Sequence, residues 1–210
     1  VEDNNEIRHY LSSGLSELFN TLEAGNGEEA LEKLKDNEVD IIVTDVMMPV
    51  MDGIKFCKNV KQNIRTCHIP VIILSAKSEI KDQMEGLQMG ADDYIPKPFS
   101  LAILTTKIQN MMRTRRRMIE RYSKSLEVEP EKITFNAMDE ALLKRAVAIV
   151  EKNMDNIEFS TDEFAREMNM SRSNLHLKLK AITGESTIDF IRKIRFNEAA
   201  KLLKDGRYTV

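Results

Sequence analysis

Apolar residues follow two rhythms along the first half of this chain. Val39–Asp45 and Pro70–Ser75 are short, nearly unbroken apolar runs rich in β-branched side chains. Such runs suit strands covered on both faces. Around them the apolar positions fall at helical spacing, predicting helices over Ile7–Leu18, Glu28–Asp36, Ile54–Asn63 and Ile80–Met89. Gly90 stands where the last of these needs its C′ residue. Phe19–Ala24 reads as a weaker strand and Asp93–Phe99 as a short one, after which Ser100 caps a helix to about Arg117. Strands alternating with helices predict an α/β fold with a parallel sheet.

From Asn136 onward the pattern is purely helical. Asp139–Met154 places Leu142, Leu143, Ala146, Val147 and Val150 on one side. Ser160 and Glu163 form a capping box that opens a helix over Thr161–Met168. Asn169 makes the turn, Ser171 caps Arg172–Ile182, Gly184 ends it, and Thr187–Leu203 follows. Two short helices around a tight turn are the helix-turn-helix pattern.

Length and charge sharpen this division. At 210 residues with 42% hydrophobic content, the chain has room for one or two cored domains. Residues 1–110 hold 11 basic against 18 acidic side chains; residues 111–210 hold 20 against 16. The basic half is the candidate partner for nucleic acid. Arg113, Arg115, Arg116, Arg117 and Arg121 crowd the stretch between the halves, which is expected to prolong the preceding helix before breaking near Glu127 to Pro130; they read as a solvated face or as contacts to DNA phosphates or a partner domain. Cys57 and Cys67 lack metal or redox spacing and read as free thiols in a reducing compartment. No apolar run of membrane-spanning length and no signal peptide is visible, so this segment is expected to be cytoplasmic, without membrane contact.

The candidate chemistry lies at strand ends. Asp45, Ser75 and Lys97 each terminate an expected strand, and Glu2 and Asp3 join them if Val1 closes another. Singly, each is an ordinary turn, cap or surface residue. Together they point into the crevice at the carboxyl edge of an open α/β sheet, where such folds bind ligands. Clustered carboxylates opposite a lysine suit Mg2+, which prefers oxygen ligands. Such a site can neutralise a transferring phosphoryl group while an aspartate acts as nucleophile. In the helical half, Ser173, His176, Leu177 and Lys180 share the face of Arg172–Ile182 opposite Leu175, Leu179 and Ile182. That face can reach base edges in a major groove, while Arg172, Lys178 and Lys180 can reach phosphates. The plain alternative is a solvated helix face.

The motifs Glu2-Asp3-Asn4, Thr44-Asp45-Val46-Met47-Met48-Pro49, Met51-Asp52-Gly53, Leu74-Ser75-Ala76, Gly90-Ala91-Asp92-Asp93-Tyr94 and Lys97-Pro98-Phe99 resemble those of two-component receiver domains. The resemblance covers residues 1–112 and implies a flavodoxin-like sheet of order 2-1-3-4-5, with the first strand largely missing here. It implies that Asp45 accepts phosphate from a histidine kinase. Glu2 or Asp3, Asp45 and the carbonyl of Met47 would hold Mg2+. Lys97 would pair with the phosphoryl group, Ser75 would hydrogen-bond it, and Tyr94 would rotate inward. The Lys97–Pro98 bond is expected to be cis. Haloacid-dehalogenase-like phosphatases also use a strand-end aspartate but need an acid two residues on, where this chain has Met47.

Phe164-Ala165, Met168-Asn169-Met170-Ser171, Leu175, Lys178-Leu179-Lys180, Thr183-Gly184 and the run Ile191-Arg192 to Leu203 resemble the AraC/XylS-type DNA-binding domain. That resemblance implies that the helix from Arg172 enters the major groove. The expected organisation is a receiver over 1–112, a basic linker over 113–135, and over 136–210 the first helix-turn-helix and connector helix only. The implied protein is a phosphorylation-controlled transcription regulator, not an enzyme, cut short at both ends. It would partner a histidine kinase, separate or on the same polypeptide as in hybrid sensors, bind promoter DNA, and dimerise when phosphorylated. The alternative is a phosphorelay or protein-interaction receiver whose helical part does not bind DNA.

Overall fold

The computed structural model describes residues 1–76, 90–125, 129–134 and 136–204. They form two compact units, Val1–Thr114 and Arg115–Val210. The helix expected over Ile80–Met89 lies outside the described residues; Gly90, just after it, has φ 95°.

In the first unit β1 (Ile42–Asp45), β2 (Val71–Ser75) and β3 (Asp93–Pro96) form a parallel sheet in that order. The register sets Asp45 opposite Leu74 and Ser75 opposite Pro96. β1 and β3 are shorter than expected. Pro70 has no N–H to extend the ladder below Val71, although its carbonyl accepts from Ile42. Pro96 and Pro98 likewise offer no donor beyond β3.

Alternation along β2 builds a core on each face. Val71 and Ile73 pack with Phe56, Cys57 and Val60 of α3 (Gly53–Gln62) and Ala30 of α2 (Gly27–Asp36). Ile72 and Leu74 pack with Leu11 and Leu15 of α1 (Asn5–Leu15) and Leu104 and Ile108 of α4 (Leu101–Lys124).

The strand expected over Phe19–Ala24 is not one: these residues are irregular. Its last residue nonetheless keeps its place. Val1 donates to Val43 O at 2.7 Å and accepts from Asp45 N at 2.9 Å, and Glu2 N donates to Ala24 O at 3.0 Å. Ala24, Val1–Glu2, β1, β2 and β3 thus lie side by side at the carboxyl edge, in the predicted order. Among the described residues Ala24 is the one position of this stretch with a backbone rung to a neighbouring extended segment. A cleft of about 620 Å³ opens beside β1, between Leu11, Leu15, Leu34, Ile41 and Phe56.

The second unit includes residues 115–124 of α4, assigned above to a linker. A 3-10 turn (Pro130–Lys132) follows, then α5 (Ala137–Lys152), α6 (Thr161–Glu167), α7 (Arg172–Thr183) and α8 (Thr187–Lys204). Ser160 and Glu163 make both bonds of the capping box, and Ser171 accepts from Asn174 N. Asn169 takes φ 56° at the α6–α7 turn and Gly184 φ 76° at the end of α7. Phe164 stacks on Phe190 at 6.3 Å, and both are fully buried, as are Leu143, Leu175 and Leu179. On α5 the apolar side holds Ile149, which is buried, while Val147 is only half-buried.

Candidate functional site

Asp45 is the last residue of β1, and its Oδ1 accepts from Val46 N at 2.9 Å. The chain then reverses through Val46–Asp52 into α3. Met51 N donates to Pro49 O at 2.7 Å with Val50 at φ 67°, a γ-turn centred on a β-branched residue. Gly53 starts α3 so close to the sheet that a Cβ on it would lie 1.8 Å from the Asp45 carbonyl oxygen. Only glycine lets the helix begin directly under the carboxylate.

Glu2 is delivered by the rungs that Val1 and Glu2 make to β1 and Ala24. It is 2% exposed and Asp45 7%, whereas Asp3 is open to solvent. One carboxylate oxygen from each of Glu2, Asp3 and Asp45 lies within 4.8 Å of the others. Lys97, just beyond β3, sets its Nζ 3.1 Å from Glu2 Oε2 and 3.1 Å from Asp45 Oδ1. Burial alone would lower its ammonium; hydrogen bonds to Glu2 and Asp45, with their charges, more than offset that and raise it above its ordinary value. Lys97 therefore pairs with two of the three clustered carboxylates. The remaining negative charge and the all-oxygen donor set fit a hard divalent ion.

Ser75 ends β2 beside this group, 2% exposed, and Lys97 N donates to its carbonyl at 2.7 Å. Tyr94, opposite Ile73 in the register, is half-buried against the α2–α3 face of the core. The Met47 side chain is 68% exposed in the loop after Asp45. The Lys97–Pro98 peptide is cis.

Arg8 was not foreseen. Its guanidinium donates to the carbonyls of Glu2 at 2.7 Å and Asp3 at 3.4 Å and pairs with Glu23 at 3.4 Å. It clamps the backbone that carries two of the three acids. The available signal was an arginine one turn into the helix that the acids precede; its bonds are to main-chain oxygens, which residue spacing does not reveal.

On α7, Arg172, Ser173, Leu177 and Lys180 are exposed and His176 is half-buried. Arg172 faces Asp162 at 3.5 Å. Lys178, expected to reach phosphates, does not. It is 2% exposed, with its Nζ 2.6 Å from Asp139 on α5. Its position three residues after Leu175 and four before Ile182 puts it on the core face.

A parallel sheet between helical layers, with acids, a hydroxyl and a lysine gathered at the carboxyl ends of its strands, defines the class as an α/β domain with an acidic ligand pocket. The response regulator receiver domain profile matches residues 1–109, and the chain belongs to that family. Residues 1–109 are therefore a receiver domain. Among its relatives, "Histidine kinase P4" of Formosa agariphila is 38% identical over all 210 residues, which span 15% of that protein. "Probable transcriptional regulator ycf27" of Cyanidium caldarium is 40% identical over 114 residues, covering 54% of this chain and 45% of that one. "Alkaline phosphatase synthesis transcriptional regulatory protein PhoP" of Bacillus subtilis is 38% identical over 114 residues, 54% of this chain and 47% of that one. The chain thus spans less than half the length of each of these relatives. Among solved structures, the receiver domain of Francisella response regulator 1452 matches with TM-score 0.50 at 39% identity, covering 54% of this chain and 93% of that one. A receiver domain from a Syntrophus aciditrophicus histidine kinase matches with TM-score 0.52 at 34% identity, covering 54% and 87%. Among the described residues no helix is long and apolar enough to cross a membrane.

Proposed function

We propose that the chain is a phosphorylation-switched transcription regulator in which Asp45 is the phosphoacceptor and the helical unit binds DNA. The observation that carries this reading is the cluster of Glu2, Asp3 and Asp45 carboxylates with Lys97 Nζ 3.1 Å from two of them. A carboxylate oxygen of Asp45 attacks the phosphorus of a kinase phosphohistidine. The new O–P bond forms as the N–P bond breaks, and the electron pair returns to the imidazole nitrogen. Glu2, Asp3, Asp45 and the Met47 carbonyl would hold Mg2+, which supplies charge neutralisation to the transferring group. Lys97, already beside Asp45, exchanges one carboxylate partner for a phosphoryl oxygen. Ser75 donates to another, and Tyr94 turns inward as that hydroxyl moves.

The relative named a histidine kinase, matched along the entire chain, supports a kinase on the same polypeptide. The regulators ycf27 and PhoP support a transcriptional output. For the output itself, Arg172, Ser173, His176, Leu177 and Lys180 would meet promoter DNA, and phosphorylation would favour a homodimer. The test is labelling by a small phosphodonor. Label should appear only with Mg2+ and vanish in Asp45→Asn; label that survives this substitution places the acceptor elsewhere.

A further inference from the structure

Residues 115–124 of α4 are fixed to the helical unit by three contacts at i, i+4 and i+7 spacing. The Arg115 guanidinium donates to the Ala181 carbonyl at the end of α7, at 3.1 Å. Ile119 lies against Gly184, so close that a Cβ there would be 2.5 Å from its Cγ2. Tyr122 is 3% exposed; Lys193 Nζ of α8 sits 3.6 Å from its ring centroid and donates to its carbonyl. Three anchors on one stripe fix the rotation of this helix segment. The same spacing displaced by two residues, 117, 121 and 124, must then face solvent. Arg116, Arg117, Arg121 and Lys124 are all exposed, with Glu120 the one acid between them.

Their charges are uncommitted. Elsewhere in this unit Lys144, Lys152, Arg166, Arg172, Lys178 and Arg192 each meet an acid. Among the described residues Arg116, Arg117, Arg121 and Lys124 meet none, and nor does Lys180 of α7, adjacent to the residue that accepts from Arg115. A helix face with four basic side chains against one acid, joined to α7 by these contacts, is complementary to a polyanion. It also carries no large apolar side chain, which a helix lying on a membrane surface requires.

We propose that the row Arg116, Arg117 and Arg121 is a second DNA-contacting element, binding backbone phosphates and adding sequence-independent affinity to whatever α7 reads. The proposal rests on the reading of the helical unit as a DNA binder. Phosphate contacts position the protein without specifying sequence, and each releases a counterion.

The experiment measures binding of the protein to a short random-sequence duplex across a salt series. The Arg116→Gln/Arg117→Gln/Arg121→Gln variant should bind more weakly, with the slope of log K against log salt shallower by about 0.9 for each arginine lost. The matching lysine variant keeps the charges and should restore the slope, separating charge from folding. If wild type binds and the glutamine variant binds with equal strength and slope, this proposal fails while the DNA-binding reading stands. If wild type binds no duplex at all, both fail. Loss of binding to phosphatidylserine vesicles by the glutamine variant, with duplex binding intact, overturns it in favour of a lipid contact.

Discussion

Two residues in the first unit lower its stability, Val50 through its backbone and Cys57 only at high pH, each open to a direct test. Val50 sits at φ 67° in the γ-turn after Asp45, a region disfavoured for β-branched side chains. Such strain is worth roughly 1–3 kcal/mol, while glycine adds unfolded-state freedom of roughly 0.5–1 kcal/mol. Val50→Gly should therefore stabilise the protein by about 1 kcal/mol in denaturant unfolding; a loss of stability would mean the exposed valine makes contacts that matter more than its backbone. Cys57 is fully buried on α3, and burial raises its thiol from 9.0 to about 11, with Lys61 opposing and Asp92 adding to the rise. Between these values the unfolded chain has released the proton and the folded chain retains it. Raising the pH therefore favours unfolding there. Below the window the thiol is protonated in both states and contributes nothing. Across pH 9 to 11 the thiol should withdraw on the order of 2–3 kcal/mol of stability. A Cys57→Ala variant should escape that component, so equal pH slopes for the two proteins would discard the mechanism.

At the scale of elements, what the sequence made legible was whatever depends on neighbours in the chain. The Ser160–Glu163 box, the Ser171 cap and the left-handed Asn169 and Gly184 are local features, and all were readable. So were β1 and β2, because the residues ending in Asp45 and Ser75 are apolar runs bounded by turn residues, and β3, a short segment running into the prolines around Lys97. Phe19–Ala24 was misread since a strand exists only with a partner alongside, and only Ala24 has one. Lys178 was misassigned because its charge outweighed its phase: the helical period put it on the core side, where Asp139 awaits it. In the candidate site the acids, hydroxyl and lysine were legible from residue type at strand ends. Arg8 was not, since its role is carried by backbone oxygens. Helix α4 runs past Arg117 to Lys124, as expected of the charged stretch that prolongs it; no proline or glycine intervenes to end it earlier.

For the molecule as a whole, the two units are built on different interiors. The first is a sheet with apolar side chains on both faces. The second holds, between α5 and α7, an ion pair whose side chains are 1% and 4% exposed. Asn136 Nδ2 also donates to Asp139 Oδ2 at 2.7 Å, so the carboxylate is well satisfied. Removing one partner should cost about 3–5 kcal/mol, whereas replacing both, as in Asp139→Leu/Lys178→Met, should be neutral or stabilising by about 1–4 kcal/mol at room temperature. Heating changes that comparison. The hydration of charged groups carries a strongly negative entropy and weakens as temperature rises, so the penalty for having dried this pair shrinks. The advantage of the apolar double variant should therefore narrow on warming, measurable as converging stability curves. A pair that looks wasteful in cool water becomes, near the melting temperature, much less of a burden on the helical unit.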